Sequence, residues 1–177
     1  MERYIAFLRG VNVSGQKILK METLRETMSK RGFADVKTYI QSGNVLFNSA
    51  IQDSSQLISG IEKLIEETFG FHADVIVRKL SEIELIINSS LFTTLKSDDE
   101  KKYYITFLQR EYTESLELPL FSKNRDVEII FHNKRDFISI STLYKGNYGF
   151  PNSFIEKLTG IPKTTLNPNT LEKILKI

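Results

Sequence analysis

Five apolar residues in succession, Tyr4-Ile5-Ala6-Phe7-Leu8, limit the architecture more than any other feature of this chain. A half-buried strand alternates apolar and polar residues. A strand over 3–9 that does not alternate suggests burial on both faces. It runs straight into the Gly- and Asn-rich stretch Arg9-Gly10-Val11-Asn12-Val13-Ser14-Gly15, which opens a loop over 10–20. A second strand enters a turn of the same kind in Tyr39-Ile40-Gln41-Ser42-Gly43-Asn44-Val45. Strands are expected at 35–41 and 44–49, with Ser42-Gly43 as the hairpin between them. Between these segments Met21, Leu24 and Met28 share one face of a helix over 21–31, with Gly32 as its stop. A second helix follows from Leu57, Ile58, Ile61, Leu64, Ile65, Thr68 and Phe69 at helical spacing, ended by Gly70. A strand at 73–78 completes the order βαββαβ, for which the split βαβ plan is the common solution.

Farther along, Ser81-Glu82-Ile83-Glu84 has the form of a capping box, predicting a helix to about Asn88. The charged stretch Lys96-Ser97-Asp98-Asp99-Glu100-Lys101-Lys102 reads as a link between halves. A strand at 103–108 follows, then a short helical piece at 113–118 that stops at Pro119. Strands at 126–132 and 136–143 flank the turn Asn133-Lys134-Arg135. Ser153-Phe154-Ile155-Glu156 reads as the cap of another helix ended by Gly160, and Asn167-Pro168 opens the last one. The second half therefore reads βαββαα. The expected fold is α+β, with two ferredoxin-like (βαββα-type) subdomains packed together and mostly antiparallel sheets. The division is 1–80 for the first subdomain, 81–102 for a helix and linker, and 103–177 for the second. The shared element order suggests a duplication, although no residue-level repeat accompanies it.

Antiparallel pairing of the first and third strands would bring the two turns to one end of the sheet. Arg9, Gly10, Asn12, Gln41, Ser42, Gly43 and Asn44 then converge, with Lys17 and Lys20 nearby. Exposed amides in Gly turns and at a helix start favour anions, so a carboxylate or phosphate would suit this edge. The same residues also have a purely structural explanation. Gly43 and Asn44 suit a tight hairpin, Gly10 and Gly15 let the chain turn, and Asn12 can bond to its own loop. The pattern Gly10-x-x-x-x-Gly15-Gln16-Lys17 is not a nucleotide-triphosphate loop, because Gln16 stands where Lys is needed and Lys17 where Ser or Thr is needed.

Other chemistry is sparse. There are no cysteines, so disulfides, thiolate metal sites and cysteine nucleophiles are excluded, as suits a reducing compartment. No apolar run approaches the ~20 residues of a membrane span, and the start lacks a signal-peptide pattern, so a cytoplasmic location is expected. The histidines, His72 and His132, have no zinc-site spacing and read as surface residues. No metal and no cofactor is expected. Asp98-Asp99-Glu100 and Glu66-Glu67 read as solvated charges, while Phe131, Phe137, Tyr103 and Tyr104 read as core. No Gly-x-Ser-x-Gly elbow occurs, and no convincing nucleophile or general base stands out.

Charge is unevenly distributed: residues 1–40 carry a net +4, 41–133 a net −6 and 134–177 a net +4. Such basic ends leave room for an anionic partner. RNA-recognition modules share the βαββαβ order, but the aromatic motif of their third strand is replaced here by Ser42-Gly43-Asn44-Val45-Leu46. The expected function is binding of a small anionic or polar ligand, nucleotide-like in one version, at the loop edge of the first subdomain. Nucleic-acid binding through the basic ends and a protein-interaction module without a ligand are the alternatives.

The stretch Leu8 to Gly15, with Met21, Leu24, Gly32-Phe33 and Val36-Lys37-Thr38-Tyr39-Ile40-Gln41-Ser42-Gly43-Asn44-Val45-Leu46-Phe47, resembles the bacterial family called domain of unknown function 1697. The resemblance continues through Val75-Ile76-Val77-Arg78, Ser153-Phe154-Ile155-Glu156-Lys157-Leu158 and Thr164-Thr165. It implies a cytoplasmic α+β protein of ferredoxin-like subdomains, with no established activity, cofactor or catalytic residue. One departure stands out: Leu166 and Pro168 occupy positions where the family pattern has Arg and Trp. Any ligand contact the family makes through that Arg and Trp would be lost here.

Overall fold

A computed structural model describes residues 1–95 and 100–177. The chain divides into two compact units, Met1–Glu84 with Ile174–Ile177, and Leu85–Lys173. Residues 96–99, the centre of the expected charged link with Asp98 and Asp99, lie outside the described residues.

The first unit contains β1 (Glu2–Leu8), α1 (Met21–Lys30), β2 (Ala34–Tyr39), β3 (Asn44–Ser49), α2 (Ser54–Phe69) and β4 (Val75–Lys79), followed by α3 (Leu80–Ile87), which crosses the division between units. Its sheet has the order β2-β3-β1-β4, with β1 antiparallel to both neighbours, as the split βαβ plan requires. Tyr4 lies opposite Phe47 and Phe7 opposite Asn44, while Leu8 faces Val75 on the other side.

Both faces of β1 are buried. Tyr4, Ala6 and Leu8 join Leu24, Met28, Leu57, Ile61, Leu64 and Ile65 in the core beneath α1 and α2. Ile5 and Phe7, on the opposite face, are buried as well. Each such apolar side chain contributes about 1.5–3 kcal/mol on burial, which is why the strand cannot tolerate alternation. The stacked rings of Tyr4 and Phe47 lie inside the structure, so this sheet offers no open aromatic platform for bases. The α2 helix is capped by Asp53, whose Oδ1 accepts from the amides of Ser55 (2.7 Å) and Gln56 (3.2 Å). Gly70 ends it in the left-handed conformation.

The expected capping box at Ser81 is corrected by two positions. Because β4 passes directly into α3 at Leu80, Ser81 falls inside the first turn. Glu82, rather than Glu84, reaches back to accept from the Lys79 amide at 3.1 Å.

The second unit contains α4 (Ser90–Leu95), β5 (Lys102–Leu108), β6 (Leu120–Phe121), β7 (Val127–His132), β8 (Asp136–Ser141), the small hairpin β9 (Leu143–Tyr144) and β10 (Asn147–Tyr148), α5 (Pro151–Thr159) and β11 (Lys163–Leu166). The final helix, α6 (Pro168–Leu175), begins here and ends in the first unit. Its main sheet has the order β11-β5-β8-β7-β6. Without the edge strand β6, that is the order of the first sheet again, with β5, β7, β8 and β11 in the places of β1, β2, β3 and β4.

The βαββαα expectation is corrected here. No helix forms at 113–118, so β5 reaches β7 through a segment without regular structure and β6. The stretch is too short to nucleate a helix, and Pro119 bars the helical conformation at Leu118. Tyr112 is also fastened elsewhere: its amide donates to the Lys134 carbonyl at 2.8 Å and its ring packs against Phe137. The strand β11 fell within the tail and carried too few residues to show a period. It pairs with β5, where the Thr106 and Thr165 hydroxyls bond at 2.8 Å.

Ser153 does not cap α5, which starts two residues earlier at Pro151 after an extended Phe150. Asn167 does cap α6, accepting from the Thr170 amide at 2.8 Å. Phe137 is buried, whereas Phe131, expected in the core, is 39% exposed where a bulge disturbs the β7–β8 register. Among the described residues no helix is long and apolar enough to cross a membrane.

Candidate functional site

One end of the first sheet gathers the C-terminus of β1, the β2–β3 turn and the segment entering β4. Two backbone hydrogen bonds fix it: the Leu8 amide donates to the Gly43 carbonyl (2.8 Å), and the Arg9 amide to the Asp74 carbonyl (2.9 Å). The expected meeting of the two turns is therefore present. At Gly43 the approach is so close that a Cβ would fall 2.6 Å from Val11 Cγ2 and 2.9 Å from the Leu8 carbonyl oxygen, with φ at +77°. Only glycine fits there.

The loop from Gly10 to Ile18 is held by Asn12. Its side-chain amide donates to the carbonyls of Leu19 (3.0 Å) and Gln41 (3.1 Å), and its Oδ1 accepts from the Leu19 amide (2.8 Å). Asn12 itself sits at φ +55°, a conformation asparagine tolerates better than most residues. Ser42 donates to the Tyr39 carbonyl at 2.9 Å, and Asn44, 5% exposed, donates through Nδ2 to the Ser42 hydroxyl at 2.7 Å. Asn12 and Gly43 thus join the two turns, while Ser42 and Asn44 brace the β2–β3 turn from within.

Arg9 and Lys17 turn the other way, toward the segment that leads into β4. The Arg9 guanidinium stands 3.5 Å from Asp74 Oδ2. Lys17 Nζ donates to the His72 carbonyl at 2.8 Å and lies 6.0 Å from the centre of the Phe71 ring. Gly10 and Gln41 are exposed. So is Lys20, which occupies the start of α1 with no side chain capping that end. The edge also carries strain. Ser14, Lys17 and Ile40 all have positive φ, and Ile40, branched at Cβ and 66% exposed, is the costliest of these.

A group that sequence reasoning missed lies beside Arg9. One ligand atom each from Glu62, His72 and Asp74 falls within 4.8 Å of the others. His72 Nε2 is 3.4 Å from Asp74 Oδ1, and Glu62 Oε1 accepts from the Val75 amide at 3.1 Å. Ala73 between them is fully buried, while His72 is exposed and Asp74 half-buried just ahead of β4. His72-x-Asp74 at the mouth of a strand was the available signal. Glu62, ten positions earlier on a helix, gave none.

Residues 1–137 match the model of a family described as a protein of unknown function, DUF1697. The chain belongs to this family. The match takes in the whole loop edge of the DUF1697 protein and stops before the tail motifs at Ser153–Leu158 and Thr164–Thr165. A solved structure described as that of the conserved bacterial protein SP0830 from Streptococcus pneumoniae is similar in fold, with a TM-score of 0.67 at 23% identity. The alignment covers 99% of this DUF1697 chain and 97% of that one. A search of curated proteins found no match.

Proposed function

We propose that this protein binds a small anionic or polar ligand at the loop edge of its first unit. The observation that carries the reading is three cations on loops of the first unit, Arg9 and Lys17 beside the segment entering β4 and the exposed Lys20 at an α1 start that no side chain caps. Unspent amides at a helix start and in glycine turns attract negative charge, and the cations add to that field. Arg9 and Lys17 supply charge, Gln41 a polar contact and Gly10 a close backbone approach. Asn12, Ser42, Gly43 and Asn44 act one step back, holding the loop in place. A nucleotide-like ligand fits this charge pattern as one member of the class.

The test is a thermal-shift screen with nucleotides, phosphorylated metabolites and polyanions. A ligand present at a hundred times its Kd stabilises the fold by about 2.7 kcal/mol. For a chain of this length that raises Tm by roughly 5–10 °C. The shift should vanish in Lys17→Ala and in Arg9→Gln, with the fold retained. A silent screen, or a hit indifferent to both substitutions, would overturn the reading.

A second reading rests on Val13, Ile18 and Ile40, large apolar residues exposed along the same edge. Such side chains suit a protein partner. A complex lost in Ile18→Ser but intact in Lys17→Ala would favour it.

A further inference from the structure

The geometry points to a divalent transition-metal site formed by Glu62, His72 and Asp74, with Zn2+ as the best-matched ion. The donor set is one imidazole and two carboxylates. Its two negative charges balance a divalent cation, and imidazole selects zinc-like ions over magnesium or calcium, which prefer all-oxygen shells.

The spacing agrees with this chemistry. Bonds of about 2.0–2.1 Å in a tetrahedral zinc site place neighbouring ligand atoms roughly 3.3 Å apart. His72 Nε2 and Asp74 Oδ1 are 3.4 Å apart, long for a hydrogen bond but near one edge of that tetrahedron. All three ligand atoms lie within 4.8 Å of each other, so modest rotation of the exposed His72 and the half-buried carboxylate side chains closes the remaining gap.

The carboxylates are also held from behind, as metal ligands commonly are. Glu62 Oε1 accepts from the Val75 amide, and Asp74 presents Oδ2 to Arg9 while Oδ1 faces the imidazole. Three protein ligands leave a fourth position for water or another small ligand. The Arg9 guanidinium beside Asp74 and the Lys17 ammonium on the His72 carbonyl make that position favourable for an anion. The metal site stands on its own, whether or not the loop edge takes the ligand proposed above.

The test uses the metal alone on the tag-free full chain. Zn2+ is titrated against a chromophoric chelator, and Co2+ is added separately to read its visible absorption. One equivalent should bind, with the intense bands of a four- or five-coordinate cobalt site. His72→Ala and Glu62→Gln should each weaken binding at least tenfold, and excess Mg2+ should not compete. His132→Ala, which removes the other histidine, should leave affinity unchanged. Circular dichroism verifies each variant's fold, and the wild-type cobalt spectrum is a readout that no variant can confound. Substoichiometric binding, octahedral-type weak absorption, an affinity indifferent to His72→Ala, or a loss in His132→Ala would each overturn the assignment.

Discussion

Replacing Asn12 by alanine isolates what fastens the loop edge. The substitution deletes two donated bonds, to the Leu19 and Gln41 carbonyls, and strips the acceptor from the Leu19 amide. The two donated bonds are worth about 0.5–1.5 kcal/mol each, and a buried amide left unpaired costs about 1–3 kcal/mol. Leu19 is 2% exposed, so water does not readily replace the lost acceptor. Alanine at φ +55° adds about 1 kcal/mol of backbone strain relative to asparagine.

The total falls at about 3–5 kcal/mol once these terms are combined with their usual shortfall from additivity. In a chain of this length that lowers Tm by roughly 6–20 °C. Urea denaturation followed by far-ultraviolet circular dichroism reads it directly, as a lower midpoint at constant slope. Asn12→Gly keeps the positive φ without penalty, so it should recover about 1 kcal/mol of the loss. A loss below about 0.5 kcal/mol in Asn12→Ala would refute the reasoning. It would show that the side chain does not hold the loop, and would return Asn12 to the set of residues available to a ligand.

Gly43→Ala should cost at least about 2 kcal/mol by denaturation, because its Cβ meets Val11 and the Leu8 carbonyl. Gly10→Ala, equally left-handed at φ +68° but with open space around it, should cost only about 1 kcal/mol. Burial raises the pKa of the Tyr4 hydroxyl, which has no hydrogen-bond partner among the described residues, and burial does the same at Tyr104 and Tyr112. The unfolded chain loses these protons near pH 10 while the folded one keeps them. Stability is therefore complete below pH 10 and falls as pH rises toward the folded values, by at most about 1.4 kcal/mol per pH unit per group. Tyr4→Phe should flatten that alkaline decline and leave neutral-pH stability equal or higher, as equilibrium unfolding at pH 7 and above pH 10 would report.

Legibility followed the strength of the local signal. The unalternating run at Tyr4–Leu8, the Ser42-Gly43 hairpin and the helix beginning near Leu57 are each set by contiguous residues, and the first unit's elements and strand order follow from them. In the second unit, β11 has four residues and β6 has two, too few to carry a period. The segment before Pro119 has helix-forming composition that tertiary anchoring at Tyr112 overrides.

The loop edge was half legible. Antiparallel pairing predicts that Arg9 and Gln41 approach one end of the sheet. Side-chain direction was not predictable, because β1 has two neighbours. Arg9 turns toward Asp74 at β4 rather than toward Asn44 at β3. Glu62 escaped notice because a helix and a strand supply its group together.

The central place of β1 has a consequence for the protein as it is made. During synthesis β1 pairs only with segments that come some 40 and 70 residues later. At about 5–20 residues per second, it waits roughly four to fourteen seconds for its second neighbour. The same delay recurs with β5, whose partners β8 and β11 also follow it. Over that interval the nascent chain displays Tyr4 to Leu8 with both edges unpaired, the kind of transient apolar exposure that favours aggregation.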